Sequence, residues 1–296
     1  MTSSIVLIEK ISNGSQSEVF KAKRRLDIIA VKKFRHGQNE ASKREIELLK
    51  QVRARHIIQF YGVEQDRVMM EYAEGGSLAQ AISHGTLRNW EIKNLIAKEV
   101  SLGLVYLHML GIVHCNINST NVLLTKHQQA KICDFGRARA FGETGERGDL
   151  AWMAPELFRD PPQYSDKSDV YALGMVMWEM AAACTQPYQG QSIDVVTKSI
   201  TNGITEKVPK GTPDEYARCI QQCWRQAPEE RPDAEFILPG ILPGHNADAD
   251  DQAHIIFSDK HPATYELIDT RGAGASKEYY KAKALREVGA AHRELN

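Results

Sequence analysis

The chain has 296 residues and a formal net charge of −1, with 42% hydrophobic and 25% charged residues. These values are typical of a soluble globular protein and exclude a strong global attraction to nucleic acid or to an acidic membrane surface. Five scattered cysteines do not form a disulfide framework, and the sequence contains neither a secretory signal nor a run of about 18 apolar residues. We therefore expect a cytoplasmic protein with no membrane span and no nucleic-acid partner.

The first quarter of the chain is predicted to consist mainly of strands. Short runs rich in β-branched residues, separated by turn residues, predict strands at 5–8, 18–22, 28–34, 57–63 and 68–72. Between them, residues 39–52 carry apolar side chains at helical spacing and predict one amphipathic helix.

After a turn at residues 74–77 the hydrophobic pattern becomes helical. Helices are predicted at 90–109, 168–182, 193–202 and 214–225. A strand-rich small lobe followed by a helix-rich large lobe is expected from this order alone.

The C-terminal part of the chain has a different composition. Residues 241–275 begin turn-rich and acidic and are interpreted as a linker. Residues 276–296 have good helix formers and predict one C-terminal helix. Packing on the large lobe, binding to a partner and disorder all remain open for this segment.

Several motifs suggest nucleotide chemistry. A strand with the sequence Ile29-Ala-Val-Lys32 ends in a lysine, and Glu45 lies thirteen residues later on the predicted helix. A buried lysine with a carboxylate partner can hold nucleotide phosphates as a fixed positive charge. In Lys131-Ile-Cys-Asp-Phe-Gly136, the aspartate at the predicted strand end could bind magnesium. Three further motifs follow: Trp152-Met-Ala-Pro-Glu156, Ser168-Asp-Val-Tyr-Ala-Leu-Gly174, and Cys223-Trp with Arg231-Pro.

In this order and spacing, the motifs resemble those of the protein kinases, above all the tyrosine-kinase-like group that includes the mixed-lineage kinases. The resemblance covers roughly residues 5–240. It implies an α+β, bilobal protein-kinase fold over residues 1–240. The small lobe, about 1–73, would be an antiparallel β-sheet with one helix, and the larger lobe, about 74–240, would be mainly helical.

The resemblance also implies roles for individual residues. Lys32 and Glu45 would form the ion pair between strand and helix, and Asn121 and Asp134 would hold Mg²⁺. Met70 would be the gatekeeper residue. The remaining ATP-binding positions are Gly14, Val19, Ala30, Glu71, Ala73 and Leu123.

Two further sets are implied to be structural. Glu156 and Arg231 would form a buried ion pair in the large lobe. A packed spine joining the lobes would comprise Leu49, Phe60, His114, Phe135 and Asp169.

The segment at the position of the family's catalytic loop is residues 114–121. It departs from the family pattern His-Arg-Asp-Leu-Lys-x-x-Asn. Asn116 replaces the aspartate that accepts the proton of the substrate hydroxyl, and a neutral carboxamide cannot take that proton. Asn118 replaces the lysine that neutralises the γ-phosphate, and Cys115 replaces the arginine that clamps the activation loop. Asp149 adds a negative charge where the family has threonine.

The nucleotide site is predicted to be less altered than the catalytic loop. The glycine-rich loop keeps Gly14, but Ser12 and Ser17 replace the flanking glycines that let the backbone approach phosphates closely. We therefore expect weak binding of ATP and Mg²⁺.

Three functions are compatible with this pattern. The first is a pseudokinase, leaning away from being an enzyme, that acts as a signalling scaffold or allosteric regulator by binding other signalling proteins, with an active kinase as one candidate. The second is a slow but active Ser/Thr kinase, and the third is a decoy inhibitor of an active relative.

Overall fold

The computed structural model describes residues 5–14, 17–35, 39–64, 66–145, 148–237, 254–257 and 265–268. The small lobe is built on one five-stranded antiparallel sheet. Its strands lie in the order β1-β2-β3-β5-β4. Their bounds are β1 Ile5–Asn13, β2 Ser17–Arg24, β3 Asp27–Phe34, β4 Phe60–Glu64 and β5 Arg67–Glu71.

One helix packs with this sheet. Helix α1 spans Glu40–Gln51, and its N-cap residue Asn39 accepts a hydrogen bond from the Ser42 backbone amide at 2.9 Å. This cap satisfies one of the amide groups that a helix start leaves without an intrahelical partner. The buried side of α1 includes Glu45, Ile46 and Leu49, so the charged Glu45 lies among apolar neighbours.

The large lobe is mainly helical. Its helices are α2 Leu78–Ser83, α3 Trp90–Met109, α4 Asp166–Ala182, α5 Ile193–Thr201 and α6 Asp214–Cys223. Its short strands are β6 Gly76–Ser77, β7 Ile112–Val113, β8 Val122–Leu124, β9 Ala130–Ile132 and β10 Arg139–Ala140. Strands β6, β8 and β9 form one small sheet, and β7 pairs with β10. Short 3₁₀ turns lie at Leu150–Trp152, Pro155–Phe158, Pro228–Glu230 and Ala234–Ile237.

Helix α4 is the centre of the large lobe, since every residue from Ser168 to Met180 is buried. Gly174 lets α4 approach α6 closely, because an added Cβ would lie 2.6 Å from the Cβ of Cys223. The Arg231 side chain is buried and donates two hydrogen bonds of 2.7 Å to the carboxylate of Glu156.

The predicted α+β bilobal fold is confirmed. Helix 90–109 has the predicted bounds, and the helices predicted at 39–52, 168–182, 193–202 and 214–225 differ from the observed ones by one or two residues at an end.

One predicted strand begins later in the structure, and two strands lie within the interval interpreted as a linker. The strand predicted at 57–63 begins only at Phe60, because Ile57 and Ile58 bind β9 instead. Within the interval interpreted as a linker, β11 His254–Phe257 and β12 Tyr265–Ile268 pair as an antiparallel two-stranded sheet. The predicted helix at 276–296 lies outside the described residues.

In the part of the chain that the structure describes, no helix combines the length and apolar character needed to cross a membrane.

Candidate active site

A cleft of about 830 Å³ brings the predicted nucleotide-binding residues together. Its floor and walls include β3, β5, the segment after β5 and the residues that follow β9. All the positions named from the resemblance for ATP or Mg²⁺ line it: Gly14, Val19, Ala30, Lys32, Glu71, Ala73, Leu123, Asn121 and Asp134. Glu45 and Met70 line the same cleft.

Lys32 is held at the back of this cleft by two carboxylates. Its Nζ lies 2.5 Å from Glu45 Oε1 and 3.1 Å from Asp134 Oδ1. Burial disfavours the charged lysine, but the charges of Asp134 and Glu45 outweigh this and raise its pKa above the usual value. Partial desolvation in the cleft likewise opposes ionisation of Asp134, but the Lys32 ammonium keeps the pKa of Asp134 below its usual value. The site therefore holds a fixed positive charge beside an ionised aspartate.

The backbone explains why these three groups meet. Lys32 lies in the middle strand β3, opposite Val19 of β2 and Val68 of β5, so its position along the sheet is set from both sides. Glu45 projects from the buried face of α1. Asp134 follows β9 with φ at +64°, a left-handed conformation that aspartate adopts more readily than most residues.

Strands β3 and β5 form the wall of the cleft where a base would lie. Ala30 pairs with Met70 across the two strands, and the Glu71 amide donates to the carbonyl of Gln59 at 2.8 Å. Glu71 also forms an ion pair of 2.9 Å with Lys131, a contact that the sequence analysis did not predict.

Asn121 and Asp134 have the chemistry that a magnesium ion prefers, because both offer oxygen ligands. The Asn121 Nδ2 donates to the carbonyl of Asn116 at 2.9 Å, so its side-chain oxygen is the atom available to a cation. The Asp134 side chain is 43% exposed within the cleft. Among the described residues no cluster of three or more His, Cys, Asp or Glu side chains could hold a metal, so a cation here would depend on these two groups and on nucleotide phosphates.

The catalytic loop is anchored to α4 through Asp169. The two carboxylate oxygens of Asp169 accept hydrogen bonds from the backbone amides of His114, at 2.8 Å, and Cys115, at 2.9 Å. Burial lowers the pKa of His114, and the neutral ring donates from Nε2 to the Cys133 carbonyl. The ring also packs edge-on against Phe135 at 5.2 Å between centroids. Three of the predicted spine positions, His114, Phe135 and Asp169, therefore adjoin one another.

The three replaced positions in the loop carry no positive charge. Burial raises the pKa of the Cys115 thiol far above its usual range, so it remains protonated. Asn118 is only 2% exposed, and its side-chain oxygen accepts from the backbone amides of Thr120 at 2.9 Å and Asn121 at 3.1 Å. The Asn118 side chain is thus committed to the loop itself, where a lysine would reach toward phosphate.

The remaining contacts of Asn118 connect the loop to residues 137–150, the activation loop of the family pattern, which we call the activation segment. Its Nδ2 donates to Asn116 Oδ1 at 3.4 Å and to Asp149 Oδ2 at 3.2 Å. Asp149 is exposed and immediately precedes the 3₁₀ turn Leu150–Trp152. The sequence shows Asn116, Asn118 and Asp149 to be substitutions, but no pattern in it predicts that they form one hydrogen-bonded group.

Residues 5–241 match the family model described as protein tyrosine and serine/threonine kinase. This chain belongs to that family. It is 31% identical over 255 residues to mitogen-activated protein kinase kinase kinase 7 of Drosophila melanogaster, covering 81% of this chain and 37% of that protein. It is 33% identical over 254 residues to the tyrosine-protein kinase Src64B of the same organism, covering 79% and 46%. A probable serine/threonine-protein kinase of Dictyostelium discoideum is 32% identical over 262 residues, covering 80% and 15%.

The chain therefore spans less than half the length of these relatives. The replacements at Cys115, Asn116 and Asn118 favour a protein that is not an enzyme. That expectation is wrong, because the relatives that share this domain are named as serine/threonine and tyrosine kinases. The physical reason is that phosphoryl transfer depends mainly on positioning and charge stabilisation, so the loss of one base is weak grounds for excluding it.

Proposed function

We propose that this domain is a slow Ser/Thr protein kinase that binds ATP with Mg²⁺ in the cleft and transfers the γ-phosphate to a protein hydroxyl. The observation that carries the proposal is the Lys32 ammonium held between Glu45 and Asp134 in a cleft of about 830 Å³. A fixed cation beside a magnesium-binding carboxylate is the part of a kinase that positions the phosphates. The Ser/Thr class is favoured by the names of several relatives.

In this proposal each group has a distinct task. Lys32 holds the α- and β-phosphates, and Glu45 keeps the ammonium in place. Asp134 and Asn121 would hold Mg²⁺, which would supply positive charge against the phosphates. Ala30, Met70 and Leu123 provide the apolar surface against which a base would lie. Without a lysine at position 118 less positive charge meets the γ-phosphate, so turnover is slow.

A second function, compatible with slow turnover, is signalling through protein binding, in which nucleotide binding changes the affinity for another signalling protein, for example an active kinase. The neutral loop formed by Cys115, Asn116 and Asn118 favours it, because ATP would persist in the cleft for longer than in a fast enzyme. Such an effect requires that ATP bind two conformations with different affinity.

The test compares the unaltered chain with Lys32→Met and with Lys33→Met. Lys33 lies on the same strand but is exposed, so it controls for loss of charge alone. Thermal stability with and without Mg-ATP measures binding, and transfer of radiolabelled γ-phosphate to a Ser/Thr substrate protein measures catalysis. We expect both signals in the unaltered chain and in Lys33→Met, and neither in Lys32→Met. Phosphate transfer that is equal in all three proteins would come from a contaminant and would refute the kinase assignment.

A further inference from the structure

The activation segment places a carboxylate beside the position where the family's base has been lost. Two aspartates, Asp149 and Asp169, line a small cavity of about 20 Å³ next to Asn116. Asp169 is 1% exposed and both of its oxygens accept from loop amides, so it cannot reach a substrate. Asp149, in contrast, is exposed.

Asn118 orients the carboxylate of Asp149. Its Nδ2 contacts Asn116 Oδ1 at 3.4 Å and Asp149 Oδ2 at 3.2 Å, so one amide group bridges the two side chains. Asp149 Oδ1 has no hydrogen-bond partner among the described residues, and none of the ion pairs found within them involves Asp149. One oxygen is therefore oriented by the loop, and the other is available to accept a proton.

The backbone around Asp149 is also fixed. The Asp149 carbonyl accepts from the Trp152 amide at 3.0 Å, which closes the 3₁₀ turn. The Trp152 indole donates to Glu179 Oε2 at 2.9 Å, and Glu179 is fully buried in α4. The carboxylate is thus attached to the core of the large lobe through one short turn, as a catalytic group needs to be.

We propose that Asp149 is the general base of the reaction, in place of the aspartate that Asn116 replaces; this inference rests on the proposed kinase function. The hydroxyl oxygen of a serine or threonine substrate forms a bond to the γ-phosphorus. The bond from that phosphorus to the β–γ bridging oxygen breaks, and ADP leaves with the electron pair. The hydroxyl proton passes to the Asp149 carboxylate. Asn118 is a positioning residue that orients this carboxylate through its amide.

The opposing interpretation is that Asp149 only repels phosphate oxygens. The two interpretations predict opposite effects of Asp149→Asn, which keeps the shape and an oxygen for Asn118 but removes the negative charge. A base contributes about 10²–10⁴-fold in rate, so we expect at least a hundredfold lower kcat with little change in the KM for ATP. A purely repulsive carboxylate would instead leave the rate unchanged or raise it when removed.

The experiment measures kcat and KM for the unaltered chain, Asp149→Asn, the double variant Asn116→Asp with Asp149→Asn, and Lys32→Met. Glu143→Gln, an exposed acidic residue of the same segment, is the matched control and should retain the unaltered rate. Stabilisation by Mg-ATP should persist in Asp149→Asn, which excludes loss of fold or of nucleotide binding. The double variant should recover activity, because the carboxylate returns at position 116.

The results separate the inference from the proposed function. Turnover that requires Lys32 but survives Asp149→Asn would overturn the role of Asp149 and leave the kinase function standing. Loss in Asp149→Asn without recovery in the double variant would also overturn it, since the role would then be structural. If the unaltered chain shows no turnover that depends on Lys32, the kinase function and this inference both fail.

Discussion

Glu179 allows a sharp test of how burial affects stability in the large lobe. It lies in α4, is fully buried, and accepts from Ser119 Oγ at 2.5 Å and from Trp152 Nε1 at 2.9 Å. Burial raises the pKa of Glu179 from its usual 4.5 to about 7 despite these two hydrogen bonds. The folded protein therefore binds this proton more tightly than the unfolded chain does.

The sign of the effect follows from this difference. Between pH 4.5 and 7 the folded state carries more protons than the unfolded state, so stability falls as the pH rises through this range. The shift corresponds to roughly 3 kcal/mol of destabilisation above pH 7. Glu179→Gln removes the ionisation but weakens one hydrogen bond, which costs about 1 kcal/mol. We expect the variant to be about 2 kcal/mol more stable at pH 8 and about 1 kcal/mol less stable near pH 4.5.

The measurement is urea unfolding of both proteins at a series of pH values between 4.5 and 8. Comparison at each pH is needed because His56 acts in the opposite direction. Burial lowers the pKa of His56 to about 4, so its contribution to stability is lost as the pH falls below 6.5. This effect is common to both proteins and cancels in the difference. A difference in stability that does not change with pH would refute the reasoning about Glu179.

Three further predictions concern the fold. Arg231→Met should destabilise the protein by roughly 3–5 kcal/mol in urea unfolding, because it leaves the Glu156 carboxylate without its buried partner; Lys43→Met, which breaks an exposed ion pair, should change stability by less than about 1 kcal/mol. Gly174→Ala should cost about 1–3 kcal/mol by the same measurement, since the new methyl group would overlap α6; no loss would mean that the two helices separate freely. Asn39→Ala should cost about 1 kcal/mol by removing the α1 cap, whereas Asn39→Asp should retain it; equal thermal stability of both variants would contradict the capping role.

Elements with a strong local signal could be predicted from the sequence. Helices α1 and α3 begin after Asn39 and Asn89, both of which cap the first turn through their side chains. Their apolar residues recur at helical spacing, so cap and periodicity agree. Helix α4 is buried on all sides. Its start at Asp166 lies two residues before the start predicted from the sequence.

Strand pairing was harder to predict, because residue preference does not specify the partner. Ile57 and Ile58 belong to a β-branched run that was expected to continue into β4. Instead the Ile58 amide donates to Ile132 and the Ile132 amide donates to His56, which ties this segment to β9. The contact spans more than seventy residues of sequence and leaves no local signal. The β11–β12 pair was missed for a related reason, since each strand is only four residues long.

For the site, as for the strands, the sequence indicates which residues are present but not which contacts they make. The motifs identify residues that line the cleft, because the spacing of Lys32, Glu45 and Asp134 follows the order of the strands and helix that carry them. They did not indicate where the Asn118 carboxamide would point. A short polar side chain in a loop has many neighbouring donors and acceptors, and the bonds it makes depend on the folded loop.

The substitutions at positions 118 and 149 gain meaning when their charges are considered together. A lysine at position 118 would place a positive charge beside the Asp149 carboxylate and would attract it. Asn118 is neutral and donates only one weak hydrogen bond, of 3.2 Å, to the carboxylate. The loss of the lysine therefore removes positive charge from the γ-phosphate and leaves the Asp149 carboxylate held by a neutral amide. Asn116 removes a carboxylate from the catalytic loop, Asp149 supplies one in the activation segment, and Asn118 connects the two side chains through its amide.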